Sequence, residues 1–245
     1  MDAKSSLDDT LALMRDLRAR CDWDAAQTHE SLRPYLIEEA YEVDDAIRAG
    51  DDATLREELG DLLLQILFHS VIAEERGAFT FADVAAQFIA KMKGRHPHLY
   101  GGGAKQPWEE MKAKRRASIV DGLPADLPAL HRAFRLQDRA AGVGFDWPDV
   151  QGPIQKVEEE LHEVRGELDT HPERLEDELG DLLFAVVNLC RKAGVHPANA
   201  LDRSNVKFAR RFTAVEQRAA ERGLRVGEAT LEQLDAIWDE VKRSE

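Results

Sequence analysis

The hexapeptide ELGDLL occurs twice in this chain, at Glu58–Leu63 and at Glu178–Leu183, 120 positions apart. In each copy a glutamate and an aspartate stand at the start of an apolar run, which reads LLLQILFHSVIA after the first copy. Carboxylates are seldom placed next to a buried surface unless something compensates their charge. The repeated hexapeptide therefore marks two equivalent places where the sequence concentrates negative charge at an apolar helix.

Helical periodicity dominates the rest of the sequence and predicts an all-α fold. One apolar stripe is formed by residues spaced three and four apart, namely Leu32, Leu36, Ala40, Val43 and Ile47. Further helices are predicted at about 5–20, 52–75, 80–93, 107–119, 129–141, 150–168, 173–193, 197–222 and 230–243. The stretch HPHLYGGG at 96–103 is predicted to be a loop because of its proline and three glycines. No β-strand alternation of useful length occurs.

The two halves are tandem repeats of one helical-bundle domain. Five landmarks recur in the same order. They are CDW and FDW ending at Trp23 and Trp147, E-x-x-E at 39–42 and 160–163, LREELGDLL and LEDELGDLL at 55–63 and 175–183, K-x3-R at 91–95 and 207–211, and W-x3-K at 108–112 and 238–242. The proline-rich segment DGLPADLP predicts a linker at 121–128, between domains at 1–120 and 129–245.

Charge and composition exclude several classes of partner. The chain has 33 Lys and Arg against 47 Asp and Glu, a net charge of −14. Such a chain is not expected to bind nucleic acid or anionic membranes non-specifically. The first twenty residues contain no apolar leader, no apolar run approaches a membrane span, and Cys21 and Cys190 form no metal or redox motif. These features predict a cytoplasmic protein.

The repeated acids predict a charged seam between two antiparallel helices. Residues equidistant from the turn of a helix hairpin face each other, and acids three residues apart share one helix face. The turns RAGDD at 48–52 and DTHPE at 169–173 carry helix-end and helix-start signals. The pairs at equal distance from these turns are Glu42 with Glu58, Glu39 with Asp61, Glu163 with Glu178, and Glu160 with Asp181.

Four converging carboxylates favour a bound cation. A single like-charge pair near 4 Å costs about 4 kcal/mol at an effective dielectric constant of about 20. All-oxygen ligands select a hard ion, which predicts Mg²⁺ or Mn²⁺. A di-iron carboxylate bundle needs Glu-x-x-His, whereas the partners here are acids. The simpler interpretation, a solvated charged helix face, holds for most isolated acid pairs but explains the duplicated register less well.

The C-terminal part supplies groups suited to an anion. Lys207 and Arg211 lie one helical turn apart, and Lys242 lies one turn after Trp238, an indole able to stack on a nucleobase. A cation together with lysine and arginine is how proteins hold polyphosphates. Each residue taken singly also fits an ordinary surface base or a core tryptophan. The sequence contains no G-x-x-x-x-G-K-[ST] phosphate loop.

The pattern E-E-x-x-E, then E-x-x-D within ELGDLLF, then NVKFARRF, resembles the two-domain MazG nucleoside triphosphate pyrophosphohydrolases. The resemblance extends over nearly the whole chain and includes CDWDAAQTHESL, RHPH and GFDW. It implies a homodimeric helical bundle. It also implies Mg²⁺-dependent hydrolysis of nucleoside triphosphates between the α and β phosphates to give NMP and pyrophosphate. A broad range of NTPs and dNTPs and a role in nucleotide-pool control are expected.

The resemblance also implies roles for particular residues of the second half. Its metal ligands would be Glu160, Glu163, Glu178 and Asp181, with Glu159 orienting or deprotonating the water. The triphosphate would be contacted by Asn205, Lys207, Arg211, Trp238 and Lys242. The first half keeps Glu39, Glu42, Glu58 and Asp61 as a second, weaker site.

The main active site is predicted in the second half. Where that half has Asn205, the first has Ile89, and the first-half helix soon meets Gly94 and Pro97. The first half is therefore expected to be structural, regulatory or weakly active. Two other functions stay open, namely a metal-stabilised scaffold or partner-binding dimer without turnover, and a selective dUTP- or dCTP-type enzyme.

Overall fold

The protein is all-helical in a computed structural model that describes residues 6–103 and 118–244. No strand occurs within these ranges, so the predicted fold class is confirmed. The chain divides into two compact units, Met1–Lys105 and Gln106–Glu245. None of the described helices combines the length and apolar character needed to span a bilayer.

The N-terminal unit is built on a hairpin of two long helices. Its helices are α1 (Leu7–Arg20), α2 (Asp22–Ala26), α3 (His29–Ala49), α4 (Asp52–Glu75), α5 (Phe81–Arg95) and α6 (Pro97–Tyr100). The core between α1, α3 and α4 consists of Leu11, Met14, Leu32, Leu67, Phe68, Val71 and Ile72. The apolar second half of α4 is thereby buried, as its sequence predicts.

The α3–α4 turn is set by local capping. Gly50 ends α3 in the left-handed region at φ +67°, and its N–H donates to the carbonyl of Ala46. Asp51 then starts α4 by accepting hydrogen bonds from the N–H groups of Ala53 and Thr54. This tight turn brings the acidic stretches of α3 and α4 side by side.

The stretch predicted to be a loop at 96–103 contains a short helix, so that prediction is wrong. Pro97 occupies the first helical position, where its missing N–H costs nothing, and the N–H of Gly101 donates to its carbonyl at 2.8 Å. Gly101, Gly102 and Gly103 come after this single helical turn and lie outside it.

The C-terminal unit repeats the hairpin and adds a second helix pair. Its helices are α7 (Ala129–Ala141), α8 (Gln151–Thr170), α9 (Leu175–Lys192), α10 (Pro197–Glu221) and α11 (Leu231–Arg243), with a 3₁₀ turn at Pro172–Arg174. The α8–α9 hairpin carries the second acidic repeat. A separate core of Val215, Ala219, Ile237 and Val241 joins α10 to α11.

The start of the predicted linker packs on the C-terminal unit. Arg139, which is only 7% exposed, donates to the backbone carbonyls of Ile119 at 2.8 Å and Asp121 at 3.0 Å. Buried guanidinium groups fix the carbonyls they bind, so this segment is tied to α7. The helix boundaries predicted from sequence agree with these bounds within a few residues, while the predicted helix at 107–119, with Trp108 and Lys112, lies almost wholly outside the described residues.

Gly50→Ala is expected to destabilise the N-terminal unit by about 1–2 kcal/mol, because a Cβ is strained in the left-handed region. Gly60→Ala provides the control, since Gly60 is helical and a Cβ there meets open space. That variant is expected to be about 0.5–1 kcal/mol more stable than wild type. Urea denaturation followed by circular dichroism measures both, and equal stabilities for the two variants would contradict the role of the turn.

Candidate metal centre

In the second half, three of the four predicted acids converge across the α8–α9 hairpin. Glu160 from α8 and Glu178 and Asp181 from α9 each offer a carboxylate oxygen, and these oxygens lie within 4.8 Å of one another. Glu160 and Glu178 are 4% and 7% exposed, whereas Asp181 faces solvent. Such a cluster, buried on one side and open on the other, is accessible to an ion and its ligands.

One oxygen of this cluster has no partner. Oε1 of Glu160 is paired with Nζ of Lys156 at 2.6 Å, but Oε2 is buried and receives no hydrogen bond. An unsatisfied buried carboxylate oxygen is costly. The carboxylates present therefore fit a hard divalent cation such as Mg²⁺ or Mn²⁺, which takes oxygen ligands.

Glu163, the fourth predicted acid, lies at the edge of the group. It is exposed and falls outside the set of three. Partial desolvation raises its pKa, and the charges of Glu160 and Glu178 raise it further, while Lys156 acts in the opposite direction. Glu163 thus experiences the negative field of the cluster without being enclosed by it.

Two cations in this cluster were missed by sequence reasoning. Lys156 pairs with Glu159 at 2.9 Å as well as with Glu160, and the hydrogen bonds that its ammonium donates to Glu160 and Glu159 raise its pKa. Arg174 donates to Glu178 at 3.0 Å. Each cation lies four residues before its glutamate, and this i, i+4 spacing was the signal that could have revealed them.

The first half places the equivalent acids together in a more open setting. Oxygens of Glu39, Glu58 and Asp61 also lie within 4.8 Å of one another, and all three residues are half-buried. Glu42, the fourth acid, is exposed and outside the set. Desolvation first, then the charges of Asp61 and Glu42, raise the pKa of Glu39. The pKa of Glu58 is raised in the same way.

The two clusters differ in their neighbouring charges. Positions equivalent to Lys156 and Arg174 hold Tyr35 and Thr54, which carry no positive charge. In the first half, a neutral side chain partly stabilises the ionised form of Glu39. A hydrogen bond with the buried Gln65 lowers the pKa of Glu39, whereas desolvation and the neighbouring acids raise it. In the second-half cluster, by contrast, Lys156 pairs with Glu160 and Arg174 pairs with Glu178.

The predicted anion-binding residues lie on the α10–α11 pair. The guanidinium carbon of Arg211 is 5.9 Å from the centre of the Trp238 ring, and Phe208 lies 5.4 Å from that ring. Asn205 and Lys207 are exposed on α10, and Lys242 on α11 lies 3.8 Å from Asp239. Helix α10 packs mainly on α11 and α7 and touches the acidic hairpin only lightly through α9. Arg211 and Trp238 are thus brought together.

Two helix hairpins with facing carboxylates define an all-α protein with two acidic clusters that could each hold a cation. Comparison with known proteins extends this description. The sequence model of the MazG nucleotide pyrophosphohydrolase domain matches residues 27–100 and 151–215, which contain both hairpins. The chain therefore belongs to the MazG family of nucleotide pyrophosphohydrolases.

Curated relatives agree with this membership over nearly the full length. The chain is 44% identical to the nucleoside triphosphate pyrophosphohydrolase/pyrophosphatase MazG of Thermotoga maritima, over 96% of this chain and 95% of that protein. It is 42% identical to the nucleoside triphosphate pyrophosphohydrolase of Escherichia coli K12, over 95% and 94% of the two chains. A protein of the same description from Mycolicibacterium smegmatis is 39% identical over 67% of this chain and 53% of its own length.

Glu39→Gln is expected to stabilise the metal-free protein at neutral pH. Because the pKa of Glu39 is raised in the folded state, its ionised form opposes folding, and the penalty disappears as the pH falls through that raised pKa. The gain should be about 0.2–0.5 kcal/mol, the scale of a like-charge pair one turn apart, and should vanish at low pH.

Urea denaturation at several pH values with EDTA present measures this effect. Glu38→Gln is the control, because Glu38 is exposed and outside the set of three. A gain for Glu39→Gln that persists unchanged in acid would contradict its origin in the ionised carboxylate, which is disfavoured by desolvation and by the charges of Asp61 and Glu42.

Proposed function

We propose that this protein hydrolyses nucleoside triphosphates between the α and β phosphates to give NMP and pyrophosphate, with Mg²⁺ or Mn²⁺ as cofactor. The observation that carries the proposal is the buried, unpartnered Oε2 of Glu160 beside the oxygens of Glu178 and Asp181. Membership of the MazG family and the names of the relatives support the reaction. A cytoplasmic location follows from this substrate.

Glu160, Glu178 and Asp181 would hold the cation, and Glu163 would complete the ligand set from the open side. When bound, a divalent cation neutralises phosphate charge and lowers the pKa of a coordinated water. The carboxylates would hold this ion near Asp181, the exposed member of the cluster. Triphosphate oxygens would enter from that side.

Glu159 is the group proposed to orient the attacking water and accept its proton. It is exposed and adjoins Glu160, and Lys156 holds one of its oxygens at 2.9 Å. Lys156 and Arg174 lie at the same cluster, where positive charge would offset the negative charge that develops on the phosphoryl oxygens. No covalent nucleophile is needed for this reaction.

Asn205, Lys207, Arg211, Trp238 and Lys242 are proposed to contact the substrate beyond the cluster. Lys207 and Arg211 fit the anionic triphosphate, and bidentate donation suits Arg211 in particular. Trp238 holds the Arg211 guanidinium over its ring, which restricts the positions the cation can take. Membership of the MazG family supports these roles.

The second half is proposed as the main active site. Its cluster has the more buried carboxylates and two adjacent cations, whereas the first-half cluster has Tyr35 and Thr54 at the equivalent positions. The first half would bind metal more weakly and serve a structural or regulatory role. Action on a broad range of NTPs and dNTPs would suit control of the nucleotide pool.

The reaction is tested by incubating the full chain with Mg²⁺ and each of the common NTPs and dNTPs. NMP and pyrophosphate as products support the proposal. NDP and orthophosphate would place the cleavage elsewhere, and the absence of turnover would favour a metal-stabilised scaffold. Turnover of a single base would indicate a selective dUTP- or dCTP-type enzyme.

Asp181→Asn is expected to lower kcat by about 100-fold or more, because the cation loses a ligand at its open side. Glu163→Gln is expected to act in the same direction. The matched first-half variants are Asp61→Asn and Glu42→Gln, which should lower kcat only a few-fold. Initial rates of pyrophosphate release measure all four, and the reverse ranking would move the main site to the first half.

A homodimer is proposed from the exposed apolar face of α9. Leu179, Leu183 and Val186 are 42%, 60% and 38% exposed, and their i, i+4, i+7 spacing places them on one face that turns away from Asp181. Large apolar patches on a surface mark contacts with another chain. In sedimentation velocity, Leu183→Arg should shift the protein from dimer to monomer. The control Leu231→Arg, at a leucine 79% exposed elsewhere in this unit, should not.

A further inference from the structure

A chain of charged side chains closes the turn of the C-terminal hairpin. Glu167 lies near the end of α8, Arg174 ends the 3₁₀ turn, and Glu178 lies one turn further on in α9. The guanidinium of Arg174 donates to Glu167 at 2.9 Å through one terminal nitrogen and to Glu178 at 3.0 Å through the other. One side-chain cation is therefore shared between two carboxylates on different helices.

Glu167 is held in a defined position although it lies outside the acidic cluster. Its side chain is 16% exposed. Its Oε1 accepts from Arg174, and its Oε2 lies 2.9 Å from Nδ1 of His171, which is the donor because an ionised carboxylate only accepts. Hydrogen bonds to ionised groups are stronger than those between neutral groups. Both oxygens of Glu167 are thus engaged, and the carboxylate is fixed at the turn.

Glu178 belongs to the acidic cluster and has a different environment. Its side chain is 10% exposed, and one of its oxygens lies with those of Glu160 and Asp181. Its Oε1 is the atom that accepts from Arg174. A guanidinium and a divalent cation repel each other and are attracted to the same carboxylate. A cation bound by Glu178 therefore weakens the hydrogen bond from Arg174.

The second partner of Arg174 determines where the guanidinium stays. If Glu178 were its only partner, a divalent cation at the cluster would displace Arg174 from the site. Glu167 retains it, because Glu167 is not part of the cluster. The nitrogen that donates to Glu178 is then released, and the Arg174 side chain, which is 57% exposed, is accessible to a phosphate oxygen. A planar guanidinium suits phosphate because its donors have a fixed geometry.

The first half closes its turn in another way. Ala46, which is 3% exposed, stands at the position of Glu167, and Thr54 stands at that of Arg174. The first-half turn depends on the caps at Gly50 and Asp51. Closing the turn of such a hairpin therefore does not require a shared guanidinium. The arrangement occurs in the half that is proposed to carry catalysis.

We propose that Glu167 is a positioning residue of the second-half site. It keeps Arg174 beside the cluster when a divalent cation binds Glu178, so that the guanidinium donates to the phosphate of the substrate. The inference rests on the proposed nucleotide hydrolysis and deepens it. Glu167 itself touches neither substrate nor cation. When its charge is removed, Arg174 pairs more strongly with Glu178 and competes with the cation.

Binding of Mn²⁺ without nucleotide tests this competition. Isothermal titration uses the full chain with Asp61→Asn throughout, which removes one carboxylate of the first-half cluster and reduces its contribution. Arg174→Gln should lower the Kd for Mn²⁺ about threefold, because the competing guanidinium is gone. Glu167→Gln should raise it about threefold, because Arg174 then pairs more strongly with Glu178. Both factors match the strength of an exposed ion pair.

The double variant decides whether Glu167 acts through Arg174. When Arg174→Gln is already present, Glu167→Gln should change the Kd for Mn²⁺ by less than about 1.5-fold, because the two residues are coupled. Glu173→Gln is the matched control, since it removes the same charge from an exposed residue next to Arg174. It should also change the Kd by less than about 1.5-fold. Circular dichroism melts verify that each variant folds.

Steady-state kinetics with Mg²⁺ and ATP test the contact with phosphate. Arg174→Gln should lower kcat/KM about tenfold or more, the scale of one charge-assisted hydrogen bond. Glu167→Gln should lower kcat/KM about threefold or more, and the double variant should match Arg174→Gln alone. Glu173→Gln should stay within about twofold of wild type.

Equal effects of Glu167→Gln with and without Arg174, in Mn²⁺ binding or in kcat/KM, would overturn the proposal. An effect of Glu167→Gln no larger than that of Glu173→Gln would overturn it as well. Failure of the proposed function is a separate result. It shows as no NTP turnover by wild type and removes the phosphate contact, whereas the Mn²⁺ titrations still decide whether Glu167 acts through Arg174.

Discussion

The like-charge repulsion of carboxylates across an antiparallel helix pair is the constraint on which the site depends. A short turn places the acids of one helix level with those of the next, and the apolar remainder of each hairpin fixes that register through packing. The acids cannot separate without losing the packing, so their repulsion is built into the fold. A hard cation would relieve it, and its binding free energy would be coupled to the geometry of the hairpin.

The two repeats manage this repulsion differently. In the second half Lys156 and Arg174 lie against Glu160 and Glu178, which permits the carboxylates to be more deeply buried. In the first half Tyr35 and Thr54 stand at those positions, and the acids remain half-buried with raised pKa values at Glu39 and Glu58. The two hairpins therefore share a backbone arrangement but differ in how deeply the carboxylates are buried and in the positive side chains that pair with them. Such divergence suits a protein in which one copy performs chemistry and the other supports it.

The asymmetry extends along the second helix of each hairpin. One face of α9 passes from carboxylates to a cavity lined by amides and aromatic rings, and the two features lie within about 10 Å of each other on a single helix. Sites supported by helices hold their groups more firmly than sites on loops. The opposite face of α9 carries the exposed leucines Leu179 and Leu183.

The sequence by itself determined the helices, the tandem repeat and three of the acids in each cluster, because these follow from local periodicity, capping and distance from a turn. Gly50 and the ELGDLL repeats are examples in which short-range pattern suffices. Only the tertiary structure decided the short helix at 97–100 within the expected loop, the buried and unpartnered oxygen of Glu160, and the cavity at Gln137 and Asn188. Burial and hydrogen bonding depend on residues that are far apart in the chain. The hydrogen bond from Gln137 to the carbonyl of Phe184 is an example. No local sequence pattern therefore encodes which buried polar atom is left without a partner.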